Sequence, residues 1–209
     1  MNLIESLQWR YATKKFDASK IIPDDTVTKI KEAFCLTATS FGLQPVKLVV
    51  IKNKDLQHRL VEHSMDQTQV AEASHVLVFC VETTVDKAYV LNYFKLVKQI
   101  RNTPDAVLKP FRDYLIHEFE TQLPADVKNW STKQAYIAMG NLLTVCALEG
   151  IDACPMEGFT PEKYDEILDL KTKGLSSVLV MPIGYRAKDD MFADFKKVRK
   201  PLSESVINL

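Results

Sequence analysis

Glycine is scarce in this sequence: six residues in 209. None builds G-x-G-x-x-G or G-x-x-x-x-G-K-[ST], so the usual glycine loops for dinucleotides and nucleotide phosphates are missing. A charge bias is missing too. Lys plus Arg and Asp plus Glu number 27 each, which argues against a chain built to grip nucleic acid or an anionic membrane. No C-x-x-C pair occurs. Cys35, Cys80, Cys146 and Cys154 are widely spaced in apolar surroundings and read as free thiols in a reducing compartment, hence the cytoplasm. The longest apolar run, residues 136–148, is broken by Asn141 and is too short to span a bilayer. The opening MNLIESLQWR lacks the apolar stretch and cleavage site of a signal peptide. His58 and His63 are five apart, and His75 and His117 are isolated. That spacing does not suit a metal site. Cys154 has no basic partner close in sequence and reads as a packed thiol.

What is present suits one sizeable core. With 46% hydrophobic residues, a single domain over 1–209 is expected. Asn2 is placed to cap a first helix bearing Leu3, Ile4 and Leu7 on one face. Pro23 with Asp24 and Asp25 opens a second, with Val27, Ile30, Ala33 and Phe34 at helical spacing. Residues 46–53 read as a β-branched strand and 54–64 as a helix. HVLVFCVET, residues 75–83, reads as a strand buried on both faces. Two helices rich in aromatics are expected at 86–101 and 104–120. A long helix is expected from a cap at Ser131 to a stop at Gly150, apolar nearly all round and hence central. A short strand at 152–154, a helix at 161–170 and a buried strand at 176–185 follow. The tail, 186–209, shows no helical period. Helices outnumber strands, so the class is α/β or α+β, a small sheet wrapped by helices.

Four stretches stand out from this scaffold. RYATKKFD (residues 10–17) gathers Arg10, Lys14 and Lys15 at the end of the first helix. That charge could simply favour the helix C-terminus. TSFGLQPVK (39–47) is a polar turn in which Gly42 suggests positive φ or close approach to a ligand. ACPMEGF (153–159) runs a strand end into a Glu-Gly turn whose N–H groups can point outward. KKVRK (196–200) is a basic run in the tail, by itself ordinary solvated surface.

Taken together and in order, R-x-x-x-K, SFGLQP, ASHVLVFC (73–80), PMEGF and KVR resemble the FMN-dependent nitroreductase family. Within it they resemble the oxygen-insensitive NAD(P)H nitroreductase and dihydropteridine reductase-like branch. The resemblance covers essentially the whole chain. It implies an α+β, sandwich-like fold with a small mixed, mainly antiparallel sheet wrapped by helices. It also implies a homodimer that exchanges C-terminal arms and holds FMN at the subunit interface.

Carried over residue by residue, the resemblance assigns the FMN phosphate to Arg10, Lys197 and Arg199, convergent cations suited to a dianion. Lys14 falls beside the flavin's pyrimidine edge, where a cation stabilises the charge gained on reduction. Tyr11 and Ala12 flank it. Pro155, Met156, Glu157 and Gly158 form the turn facing N5. Ser40 and Gly42 reach the cofactor from the partner subunit, and Asp66 and Gln69 lie near the uracil edge. Aromatics between Tyr89 and Phe119 roof the site. The sequence departs from the family at Ala12 (often Ser or Thr), Val46 (often Trp) and Asp66 (often Asn). The implied activity is ping-pong reduction of nitroaromatics, quinones, flavins or pterins by NAD(P)H, with the cofactor supplying the reactivity. Two alternatives stay open from sequence: an FMN-binding protein without turnover, and a member whose reduced flavin reacts with oxygen or halogenated aromatics.

Overall fold

The computed structural model describes residues 2–209. Strand β2 (His75–Glu82) organises it, being buried along its length up to Glu82. Successive strand side chains point to opposite faces. Leu77, Phe79 and Val81 accordingly join one apolar cluster, and Val76, Val78 and Cys80 join another. β2 pairs with β1 (Val46–Ile51) on one side and β4 (Leu175–Gly184) on the other. β3 (Asp152–Ala153) lies beyond β4, giving the order β1-β2-β4-β3 with every pairing antiparallel. A single parallel bridge joins Ala12 to Ala153 at the outer edge. It lies outside the four strands, whose own pairing is wholly antiparallel.

Helices cover both faces. α2 (Asp24–Cys35) and α7 (Pro124–Leu148) pack Ile30, Ala138 and Leu142 against the first face. α3 (Lys54–Val61), α4 (Gln69–Glu72) and α8 (Pro161–Ile167) supply Leu60, Val70 and Tyr164 to the second. α5 (Lys87–Arg101) and α6 (Asp105–Thr121) form a pair with its own small core of Val90, Phe94, Leu115 and Phe119. α1 (Leu3–Trp9) opens on a capping box, in which Glu5 N–H donates to the Asn2 side chain and Asn2 N–H donates back to Glu5. That reciprocal pair satisfies two otherwise orphaned donors.

Two expectations need correction. The long helix starts at Pro124, not at a Ser131 cap. Proline at the first helical position and Asp126 in the first turn make an adequate start. Ser131 is instead buried inside the helix, its hydroxyl without a partner. Nor is α7 enclosed. One side packs on the sheet, while Tyr136 and Ile137 stay about half exposed, at 46% and 50%. The tail is irregular except for one short turn of helix, α9 (Leu202–Ser205).

Candidate functional site

The segment after α1 behaves as an extra edge strand. Thr13 N–H donates to Ala153 C=O at 3.3 Å, Asp17 N–H to Tyr185 C=O at 2.8 Å, and Ala187 N–H to Lys15 C=O at 2.9 Å. RYATKKFD is therefore pinned between β3 and the chain leaving β4. Buried Asp152 supports this corner, accepting from Arg186 N–H at 2.8 Å and Arg186 Nε at 2.7 Å. The Arg186 guanidinium in turn lies 4.3 Å from the Trp9 ring centre and 4.6 Å from that of Tyr11, a cation–π sandwich.

The tail returns over this segment. Between them lies a cavity of about 360 Å³, lined among others by Arg10, Tyr11, Ala12, Lys14, Lys197 and Arg199. Two residues nearly two hundred positions apart in sequence thus reach one space. Arg10 Nε is buried and has no partner among the described residues. Burial and the neighbouring Arg199 both lower the affinity of Arg10 for its proton. Burial, Arg10 and Arg199 do the same to Lys197. Mutually repelling cations with an unmatched buried donor describe a place that favours an anion.

Lys197 has a second commitment. Its ammonium donates to the carbonyls of Leu7, at 2.6 Å, and Arg10. Those are unpaired acceptors at the end of α1, so Lys197 caps the helix and keeps one donor to spare. Lys15 turns outward to pair with Asp189.

Lys14 connects the cavity to the later turn. Its Nζ lies 4.0 Å from Cys154 Sγ, and Gln69 Nε2 lies 3.9 Å from the same sulfur. Cys154 is fully buried, and desolvation outweighs the nearby cations to push its thiol up. It is a packed thiol.

Beyond β3 the chain runs along β4 with alternate amides committed. Cys154 N–H donates to Pro182 C=O and Met156 N–H to Val180 C=O. The Met156 amide is therefore spent inside the fold and cannot serve a ligand. Glu157 and Gly158 have no intrachain acceptor for their N–H groups among the described residues. The Glu157 side chain is exposed and accepts from Tyr136 Oη at 2.7 Å. Gln67 holds the turn from below, donating to Gly158 C=O at 3.1 Å.

Other expected residues do not line this cavity. Asp66 is exposed in a turn with φ +54°. Ser40 and Gly42 lie on a single 3₁₀ turn next to α5 and α7. Ser40 N–H donates to Gln134 Oε1 at 2.8 Å, and a Cβ on Gly42 would stand 2.6 Å from the Tyr93 hydroxyl. Among the described residues, no cluster of three His, Cys, Asp or Glu side chains could hold a metal ion. No helix there is long and apolar enough to cross a membrane.

Sequence reasoning passed over Asp190. This buried carboxylate accepts from Tyr11 Oη, Lys14 N–H and Lys15 N–H through one oxygen and from Phe192 N–H through the other. Only its place in the polar tail, beside Asp189, could have drawn notice. Nothing local distinguishes the buried member of that pair.

The model of the nitroreductase family matches residues 7–185 of the chain. The chain belongs to the nitroreductase family. As a member it is an oxidoreductase. The oxygen-insensitive NAD(P)H nitroreductase of Enterobacter cloacae is 32% identical over 218 residues, covering 99% of each chain. A Staphylococcus epidermidis protein with a provisional NAD(P)H nitroreductase name is 36% identical over 195 residues, covering 90% of this chain and 89% of its own. The fold matches a nitroreductase-type protein of Exiguobacterium sibiricum solved in complex with FMN. Its TM-score is 0.85 at 18% identity, covering 100% of this chain and 98% of that one.

Proposed function

We propose that this family member is an FMN-dependent enzyme that takes electrons from NAD(P)H and reduces small organic oxidants in a ping-pong cycle. Nitroaromatics, quinones, flavins and pterins are the candidate oxidants. The observation that carries the reading is the convergence of Arg10, Lys197 and Arg199 on one cavity, with Arg10 Nε buried and unmatched. A phosphate dianion would satisfy that donor and relieve the repulsion among the cations. Arg10 and Arg199 would hold it by guanidinium donors, and Lys197 by the one donor its helix-capping role leaves over.

Some of the remaining residues would serve the rest of the cofactor. Lys14 would place positive charge where the ring becomes negative. The free amides of Glu157 and Gly158 would orient the ring's reactive edge, and Gln69 would serve the uracil end. Bound FMN supplies acceptance of hydride from NAD(P)H and its donation to the oxidant. Ala12 offers no hydroxyl, so the phosphate has one donor fewer here than in many relatives.

The same reading includes one domain and a homodimer, with Ser40 and Gly42 delivered by the second copy. Exposed Leu3, Ile4, Ile137, Val198, Leu202 and Ile207 support it, since apolar side chains left open on one chain favour burial in another. The four free cysteines suit a reducing cytoplasm.

The test is direct. The purified protein should be yellow or load with FMN, and should bleach anaerobically with NADPH or NADH. Bleaching with neither would leave an FMN-binding protein without turnover. Arg199→Ala should weaken FMN binding about tenfold or more, since a charge-assisted hydrogen bond is lost. Unchanged affinity in a fluorescence titration would remove the tail from the site.

A further inference from the structure

Arg10 and Lys14 sit on the segment after α1, whereas Lys197 and Arg199 sit in an exposed tail. Convergent cations repel, so something must hold the two segments in register before any anion arrives. Other ties between them are Lys197, bonded to the end of α1, and, nearer the sheet, Ala187 N–H on Lys15 C=O and the Lys15–Asp189 ion pair.

We infer that Asp190 is the positioning residue that joins the two halves of this cation cluster, and that discrimination for a phosphorylated flavin over an unphosphorylated one depends on it. Four donors converge on its carboxylate. Tyr11 Oη, Lys14 N–H and Lys15 N–H reach Oδ2 at 2.8, 3.0 and 3.2 Å, and Phe192 N–H reaches Oδ1 at 3.1 Å. Three donors come from the segment carrying Arg10 and Lys14. Asp190 itself lies on the tail that carries Lys197 and Arg199, and the fourth donor, Phe192 N–H, comes from two residues further along that tail. Asp190 is 4% exposed and, among the described residues, has no side-chain cation partner. Its charge is balanced by hydrogen bonds to backbone and a phenol, an arrangement that fixes direction as well as distance. The backbone around it is closed too, with Asp190 N–H on Ala187 C=O and Ala193 N–H on Asp190 C=O. Tyr11 is thereby a positioning residue as well: its hydroxyl belongs to Asp190, not to a ligand.

An asparagine at this position keeps the shape but loses the charge, and turns an NH₂ group towards N–H donors. The segment and the tail should then drift apart while the sheet stays intact.

The inference rests on the proposed FMN phosphate site, and the experiment separates the two. Apoprotein is titrated with FMN and with riboflavin, which shares the ring and ribityl chain but lacks the phosphate. Wild-type protein should prefer FMN. In Asp190→Asn, FMN affinity should fall about tenfold or more, while riboflavin affinity changes less than about threefold. Tyr11→Phe, which removes one donor and little volume, should shift the FMN-to-riboflavin ratio in the same direction by a smaller factor. Equal losses for both ligands would make Asp190 a general stabiliser and overturn the inference, as would an unchanged ratio. If Asp190→Asn does not fold, an unchanged ratio in Tyr11→Phe overturns it. A wild-type protein indifferent to the phosphate would sink the phosphate site and this inference with it.

Discussion

An ammonium has three donors, and Lys197 uses two of them on the carbonyls of Leu7 and Arg10. A side chain that the basic tail marks as a phosphate ligand is therefore also the C-terminal cap of α1. His75 makes a different case at the same scale. It opens a buried strand, is 2% exposed and shares a hydrogen bond with Ser74 Oγ at 2.9 Å. Burial, then the nearby Lys52, lowers its pKa to about 4. Its unfolded value is about 6.5. The folded protein thus keeps His75 neutral where the unfolded chain takes up a proton. Stability from this group is full above about pH 6.5 and is lost as pH falls towards 4, by at most about 1.4 kcal/mol per pH unit. His75→Gln should lose that dependence. Urea unfolding of both proteins across this window checks it, and parallel stability curves would refute it.

At the scale of elements, the strands were legible and the turns were not. An unbroken apolar run forecast β2 as doubly covered, because a strand with both faces in the core has no place for polar alternation. The helix cap at Ser131 misled, because Ser is a good cap only where the amides after it are free. Pro124, seven residues earlier, had already started α7. The turn from Ser40 to Gly42 was legible in part. Gly42 has the expected positive φ, +71°, but its tight fit comes from α5. Tyr93 stands over it, and Tyr89 Oη donates to Leu43 and Gln44 carbonyls at 2.8 and 2.9 Å. Gly42→Ala should destabilise the protein by about 1–3 kcal/mol, through left-handed strain and the Tyr93 contact together. Adding Tyr93→Phe should recover only part, since the strain at φ remains. Chemical denaturation of the single and double variants decides it, and a neutral Gly42→Ala would refute the argument.

For the whole molecule, the open question set by one chain is its uncovered apolar surface. Ile137 on α7, Leu3 and Ile4 on α1, and Val198, Leu202 and Ile207 in the tail are each at least half exposed. Side chains of this size in water cost free energy that a second copy would recover. Sedimentation equilibrium should give twice the chain mass at micromolar concentration. Ile137→Glu should shift it towards the monomer. A monomeric mass with FMN bound would refute the dimer and the delivery of Ser40 and Gly42 across it.

By itself the sequence determined most of the elements and the family. Side-chain periodicity dictates which segments bury one face or two, and the ordered motifs from Arg10 to Arg199 carry the family. Tertiary structure alone decided how the site is held. It made Asp190 the joint between two basic segments, committed the Met156 amide to Val180, and turned Lys15 outward while Lys14 stayed at the cavity. The reason is physical. A hydrogen bond depends on distance and direction between atoms far apart in the chain, and sequence spacing records neither.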